Sequence, residues 1–340
     1  MKKLLSAFWQ WLVRVFSLPK ASEESTKPAK NPPSPPKETP KPADVPHSTP
    51  PASGTSVELP TSSDAERKGY NTHFLGVEIP LPKLAAADEK PILNYRHFSI
   101  ALNKKRKMPY FTAVNIDAVK YNKLKSQIPS RKDIGADTWI IDPRMDKSAQ
   151  LPKSFYSKND FDLGHMVRRE DALWGDTLEE ALAANNDTFY LTNATPQHKD
   201  FNRNAQRWKG LEDYALSNAR KNDLRISVFT GCIFTAKDRR LATVQIPAKF
   251  WKVIVMIKED GTPSATGYIV NQDDLIEDIT ERELFVYEQF KTYQIDVKTI
   301  EEATGLEFSL NNYDPLQKVG NRDLISTEPV LIDALDKIVF

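Results

Sequence analysis

Two short segments hold the residues best suited to chemistry. One is Asp162-Leu163-Gly164-His165. The other is Thr192-Asn193-Ala194-Thr195-Pro196-Gln197-His198-Lys199-Asp200-Phe201-Asn202. Cleaving a phosphodiester requires a base for the attacking water, charge to offset the phosphorane oxygens, and a cation or acid for the leaving alkoxide. His165 supplies the base, since an imidazole titrates near pH ~6.5 and is competent at neutrality. Gly164 permits a tight backbone and close approach of a phosphate, and Asp162 is placed to orient the turn or the imidazole. The amide oxygen of Asn202 is hard and neutral. That suits Mg²⁺, which keeps several waters and needs few protein ligands.

These side chains need elements to hold them. His165 is expected in a polar, glycine-containing turn and Thr188–Thr192 in a strand. A helix is expected over 204–220, with Trp208, Leu211, Ala215 and Ala219 as its apolar stripe. Asn202 then stands at the helix entry, where backbone N–H groups also favour an anion. Glu212 lies two turns in, on the face of Asn204 and Trp208, able to accept hydrogen bonds from metal-bound waters. The result is a strand–strand–helix layout. Further strands are expected at Phe111–Ile116, Thr138–Ile141, Arg225–Thr230, Lys252–Ile257 and Thr266–Val270, rich in Val, Ile, Phe and Thr. A helix over 178–185 opens with the capping-box spacing Thr177-x-x-Glu180. This order is mixed α+β, without strict βαβ alternation.

Each candidate also has a plain reading. His165 suits a structural imidazole, and Asn202 or Asn204 a simple N-cap. Glu212 suits a solvated helix face, Asn193 and Gln197 turn formers around Pro196, and Arg168 and Arg169 a charged surface pair. Spacing alone does not choose between the two sets.

Composition is that of a globular chain: 40% hydrophobic and 27% charged, with 47 basic and 46 acidic residues. A net charge of +1 neither supports nor excludes a polyanion substrate, because a local cationic groove is enough. The single cysteine, Cys232, rules out an intrachain disulfide and cysteine-based zinc sites. Its apolar surroundings, Ile226 to Phe234, assign it to the core.

Three regions follow from the pattern. Residues 1–18 are amphipathic at helical spacing, with Lys3, Ser6, Gln10, Arg14 and Ser17 in one polar stripe. The run is shorter than the roughly 20 residues of a membrane span. It reads as an interfacial helix or signal anchor, with a cleaved signal as the next choice. Residues 19–62 contain 12 of the 24 prolines and read as a disordered, extended linker. Residues 63–340 form one domain.

From Phe161 to Tyr214 the chain resembles the DNA/RNA non-specific endonucleases, the sugar-non-specific branch of the ββα-metal nucleases. The likeness rests on Asp162–Asp171, Thr188–Gln197, Phe201-Asn202, Trp208 and Leu211–Tyr214. Weaker matches are Phe111–Asp117, Trp139 with Asp142-Pro143-Arg144, and Phe229-Thr230-Gly231. The resemblance implies mixed sheet layers around a ββα-metal motif and Mg²⁺-dependent cleavage of DNA and RNA, with Mn²⁺ as a substitute ion. It makes His165 the general base and Asn202 the metal ligand. Asn193 falls near the metal and substrate, and Glu212 is the acid behind the ligand. A homodimer is also implied.

The chain departs from that pattern at Leu163 and Leu216, where the family usually places arginine. Arg131 is the best candidate for the phosphate-contacting arginine, then Arg144. Arg168, Arg169, Arg203 and Arg207 are available to compensate. Two residues inserted before Trp208 make Asn204 a rival ligand. The missing arginines motivate an alternative, a membrane-tethered nucleic-acid-binding protein with reduced catalysis. A non-specific nuclease endangers its own genome, so the expected location is the bacterial cell envelope, with the cytoplasm as the alternative.

Overall fold

A computed structural model describes residues 63–84, 92–134, 137–203, 208–272, 292–319 and 330–331. All of them belong to the unit Glu58–Phe340. The expected helix at 1–18 and linker at 19–62 lie outside the described residues, as do Asn204 and Arg207.

The chain enters through β1 (Lys83–Leu84), β2 (Ile92–Asn94), β3 (Phe98–Asn103) and β4 (Met108–Asp117). It then makes a long excursion through α1 (Ala118–Leu124), α2 (Arg131–Ile134), β5 (Phe161–His165), α3 (Arg169–Ala172) and α4 (Leu178–Asp187). The excursion continues through β6 (Ala194–His198), α5 (Lys199–Asn202) and α6 (Trp208–Lys221). The chain returns as β7 (Arg225–Ile233), the short β8 (Arg240–Leu241) and β9 (Val244–Gln245), β10 (Lys249–Ile257) and β11 (Pro263–Asn271). It closes with β12 (Thr292–Ile295), α7 (Val297–Thr304), β13 (Leu306–Glu307), α8 (Pro315–Val319) and β14 (Val330–Leu331).

Eight strands form one sheet in the order β14-β12-β11-β10-β7-β4-β3-β2. Every neighbouring pair is antiparallel. Side chains alternate between its faces, and both faces are covered. The register row Phe98–Val114–Val228–Ile254 packs against Met166, Val167, Ala184, Trp208 and Leu211 of the excursion. The neighbouring row Ala113–Phe229–Val253 faces Tyr70, Ile79, Val297, Ile300 and Phe308. Burial on both sides makes β7 and β10 nearly continuous apolar runs. Cys232 is buried among the first set, its thiol pushed up by burial.

Four expected strands fall inside β4, β7, β10 and β11, and the helix at 178–185 is α4, capped by Thr177 accepting from Glu180 N. Two expectations are corrected. Thr138–Ile141 is not a strand; it makes one parallel bridge, Ile140 to Tyr190. Thr188–Thr192 is the C-cap of α4 running into a 3-10 turn at Leu191–Asn193. The strand that follows is Ala194–His198. The 204–220 helix is described from Trp208. All the candidate site residues lie in the excursion between β4 and β7.

Candidate active site

The site is built on an antiparallel pair, β5 against β6, with Phe161 opposite His198, Asp162 opposite Gln197, Gly164 opposite Thr195 and His165 opposite Ala194. Asp162–His165 is therefore a strand and not the expected turn. Pro196 is tolerated because this pair stands outside the main sheet and proline costs only one ladder donor. Gln272 ties β6 down, accepting from His198 N at 2.9 Å and donating to the Pro196 carbonyl at 3.3 Å. Gly164 is required by close approach: a Cβ there would lie 2.2 Å from the buried Gln197 side chain.

Alternation along β5 separates the candidates. Leu163 and His165 share one side. Leu163 packs on Trp139, Phe189, Leu191 and Ala194. The His165 ring lies 4.4 Å from Trp139 and meets Phe189 nearly edge-on at 4.9 Å. Its Nε2 is buried and has no hydrogen-bond partner. Burial lowers the imidazole pKa to about 3, helped by Arg169, Arg168 and Arg131. His165 is thus neutral at pH 7, with three guanidinium groups close enough to act on it.

Asp162 faces the other side and does not touch the imidazole. Its Oδ2 accepts from Asn202 Nδ2 at 3.0 Å and from Arg203 Nε at 2.8 Å. Asn202 ends α5, whose N-cap is His198, instead of opening the longer helix. Committing Nδ2 to Asp162 leaves the amide Oδ1 without a partner among the described residues.

Glu212 is not on a solvated face. It is buried, 3.6 Å from Arg168 Nε and 3.7 Å from Lys252 Nζ. Burial pushes its carboxyl up to about 7, opposed by Arg168 and Lys252. Lys252 is itself 2% exposed, and burial lowers its ammonium. It donates to Thr230 Oγ1 at 2.8 Å and lies 4.8 Å over the Trp208 ring. No hydrogen bond joins Glu212 to Asn202 among the described residues. Lys252 was not singled out from the sequence. The signal was a lone lysine in Phe250-Trp251-Lys252-Val253-Ile254.

The arginines differ in their availability. Arg168 is not a surface residue: it is spent on Asp213 at 3.0 Å, Glu212 and Glu170. Burial works against its charge, but the surrounding carboxylates raise it further. Arg169 is buried, donating from Nε to Asn185 Oδ1 at 3.0 Å and from Nη1 to Asp137 Oδ1 at 3.2 Å. Arg131 is 68% exposed and pairs with the other oxygen of Asp137. Arg144 is locked on Asp142 and the Tyr95 ring. Asn193, expected beside the substrate, is fully buried, with its amide committed to Val167 and Thr188.

The His165 imidazole is neutral, with a buried, unpartnered Nε2 and three guanidinium groups in reach, while Asn202 stands at Asp162 on the other side of β5. The model of the DNA/RNA non-specific endonucleases matches residues 81–314, which include the whole excursion. The chain belongs to the DNA/RNA non-specific endonuclease family. It is similar to the uncharacterized protein y4fB of Sinorhizobium fredii, 38% identical over 269 residues, covering 72% of this chain and 39% of that protein. It is also similar to the mitochondrial Nuclease 1 of Schizosaccharomyces pombe, 25% identical over 76% of this chain and 75% of that one. Human mitochondrial Endonuclease G is 27% identical over 46% of this chain and 50% of that protein. The chain therefore spans well under two thirds of y4fB and of Endonuclease G.

Members of this endonuclease family are metal-dependent, typically on Mg²⁺. Among the described residues no group of three or more His, Cys, Asp or Glu could hold a metal ion. The Asp162 carboxylate is taken by Asn202 Nδ2 and Arg203, so the donor that remains is Asn202 Oδ1, a single hard oxygen that fits an ion retaining most of its water.

Proposed function

We propose that this protein hydrolyses phosphodiester bonds of DNA and RNA without sequence preference. The observation that carries the reading is His165: a neutral imidazole with an unpartnered Nε2, within electrostatic reach of Arg131, Arg168 and Arg169. A cluster of guanidinium groups draws a backbone phosphate. Burial is the first cause of the lowered imidazole pKa and the guanidinium charges the second; the arriving anion offsets the second and moves the pKa upward, towards that of an effective base. His165 then takes a proton from water as its oxygen bonds to phosphorus and the P–O bond to the leaving oxygen breaks. Trp139 and Phe189 hold the ring in place. Arg131 and Arg169 offset the charge on the non-bridging oxygens. Asn202 would hold Mg²⁺, or Mn²⁺ in its place, and the ion's charge would stabilise the phosphorane and the leaving oxygen. Glu212, through Arg168 and Lys252, fixes α6 behind the site.

Supercoiled plasmid and single-stranded RNA, each incubated with Mg²⁺ and with chelator, test this. Cleavage of both, abolished by chelator, is expected. Binding without cleavage in Mg²⁺ or Mn²⁺ would replace the reading with that of a nucleic-acid-binding protein. The apolar run at 1–18 and the proline-rich 19–62 support an envelope-tethered catalytic unit. Protease protection on isolated membranes tests that placement, and sedimentation tests a homodimer.

A further inference from the structure

The exposed Arg131, the buried Arg169 and the carboxylate between them form a unit beside His165. Asp137 Oδ2 takes Arg131 Nη2, and Oδ1 takes Arg169 Nη1 at 3.2 Å. Arg169 is fixed from behind by Asn185 and lies 5.9 Å over the Phe189 ring, the same ring that braces His165. Arg131 is close enough to act on the charge of Arg169, and both act on His165. A carboxylate and a phosphodiester make the same offer to such a fork, two anionic oxygens for two guanidinium groups.

We propose that Asp137 is an internal counter-anion occupying the phosphate seat of Arg131 and Arg169, and that a backbone phosphate of the nucleic acid displaces it on binding. The proposal rests on the nuclease reading above and adds a residue that sets substrate affinity. Asp137 is 32% exposed and Arg131 68%, so their pair faces solvent and is weakly held. A polyanion that also gains other phosphate contacts competes well for it. The seat also accounts for Leu163. That side chain is committed to the apolar cluster around Trp139, and the cations reach the imidazole from α2 and α3 instead.

Asp137→Asn keeps one oxygen for Arg169 but turns an amide N–H₂ towards Arg131, releasing that guanidinium. The full chain is titrated with a fluorescein-labelled single-stranded DNA oligonucleotide in chelator, so that binding is read without cleavage. Asp137→Asn is expected to bind about threefold to fivefold tighter than the parent, and Asp137→Ser to move in the same direction. In the Arg131→Gln background the gain from Asp137→Asn should shrink, because only the Arg169 half of the seat remains for the phosphate. Unchanged or weaker binding by both Asp137 variants overturns the proposal and makes Asp137 an orienting residue. So does absence of binding by every protein. Failure of the parent to cleave with Mg²⁺, while the affinity pattern holds, would instead count against the nuclease reading alone.

Discussion

Asn193 grips both backbone polar groups of Val167: Oδ1 accepts the Val167 N–H at 2.9 Å, and Nδ2 donates to the Val167 carbonyl at 2.8 Å. The same Nδ2 donates to the Thr188 carbonyl at 2.9 Å, and the Asn193 carbonyl accepts Met166 N at 3.0 Å. One fully buried amide therefore locks the chain just after His165 to the C-cap of α4. Its sequence position suggested a residue at the substrate; its geometry makes it the clasp that aims the imidazole.

Asn193→Ala removes three buried hydrogen bonds and strands their backbone partners. It is expected to cost about 3 kcal/mol in urea unfolding and to cut cleavage by displacing His165. A variant within about 0.5 kcal/mol of the parent would show that the clasp carries no strain of folding.

Lys252 and Glu212 are compensating charges in a buried cluster that also holds Arg168 and Asp171. Lys252→Met leaves Glu212 facing only Arg168 and is expected to destabilise by about 3–5 kcal/mol. Lys252→Met combined with Glu212→Gln should recover part of that loss, since the buried carboxylate is then gone. Denaturant midpoints of the four proteins form the cycle. Strict additivity would contradict coupling between the two side chains.

Acid should weaken the fold through His165. The folded imidazole is lowered to about 3, while the unfolded chain takes up a proton near pH ~6.5. Its contribution is fully present above ~6.5 and is lost as pH falls towards 3. His97, buried against Trp174 and also lowered to about 3, acts in the same direction. Thermal midpoints between about pH 7 and about pH 4 should fall less in His165→Asn than in the parent. Equal slopes would place a solvated imidazole at position 165.

The large sheet was legible because β4, β7, β10 and β11 are apolar on both faces and rich in branched side chains. The site hairpin was not. Thr188-Phe189-Tyr190-Leu191-Thr192 has strand composition, but its aromatic rings are drawn to Trp139, Tyr95 and His165, and the backbone turns. Ala194–His198 contains Pro196 and two amide or imidazole side chains, yet it pairs with β5 because Gln272 holds it from behind. His165, Asn202 and Glu212 were singled out by type and spacing, and Arg131 only through the family resemblance. Asp137 and Lys252 were not, since a carboxylate between two arginines and a lysine inside an apolar strand acquire meaning only from long-range contacts.

In the proposed reaction His165 removes the proton from the attacking water. Single-turnover cleavage of supercoiled plasmid in Mg²⁺ by the parent and by His165→Ala, both shown to be folded, tests it most directly. The variant is expected to be slower by about 10²–10⁴, with DNA affinity retained. Full activity in His165→Ala would contradict it.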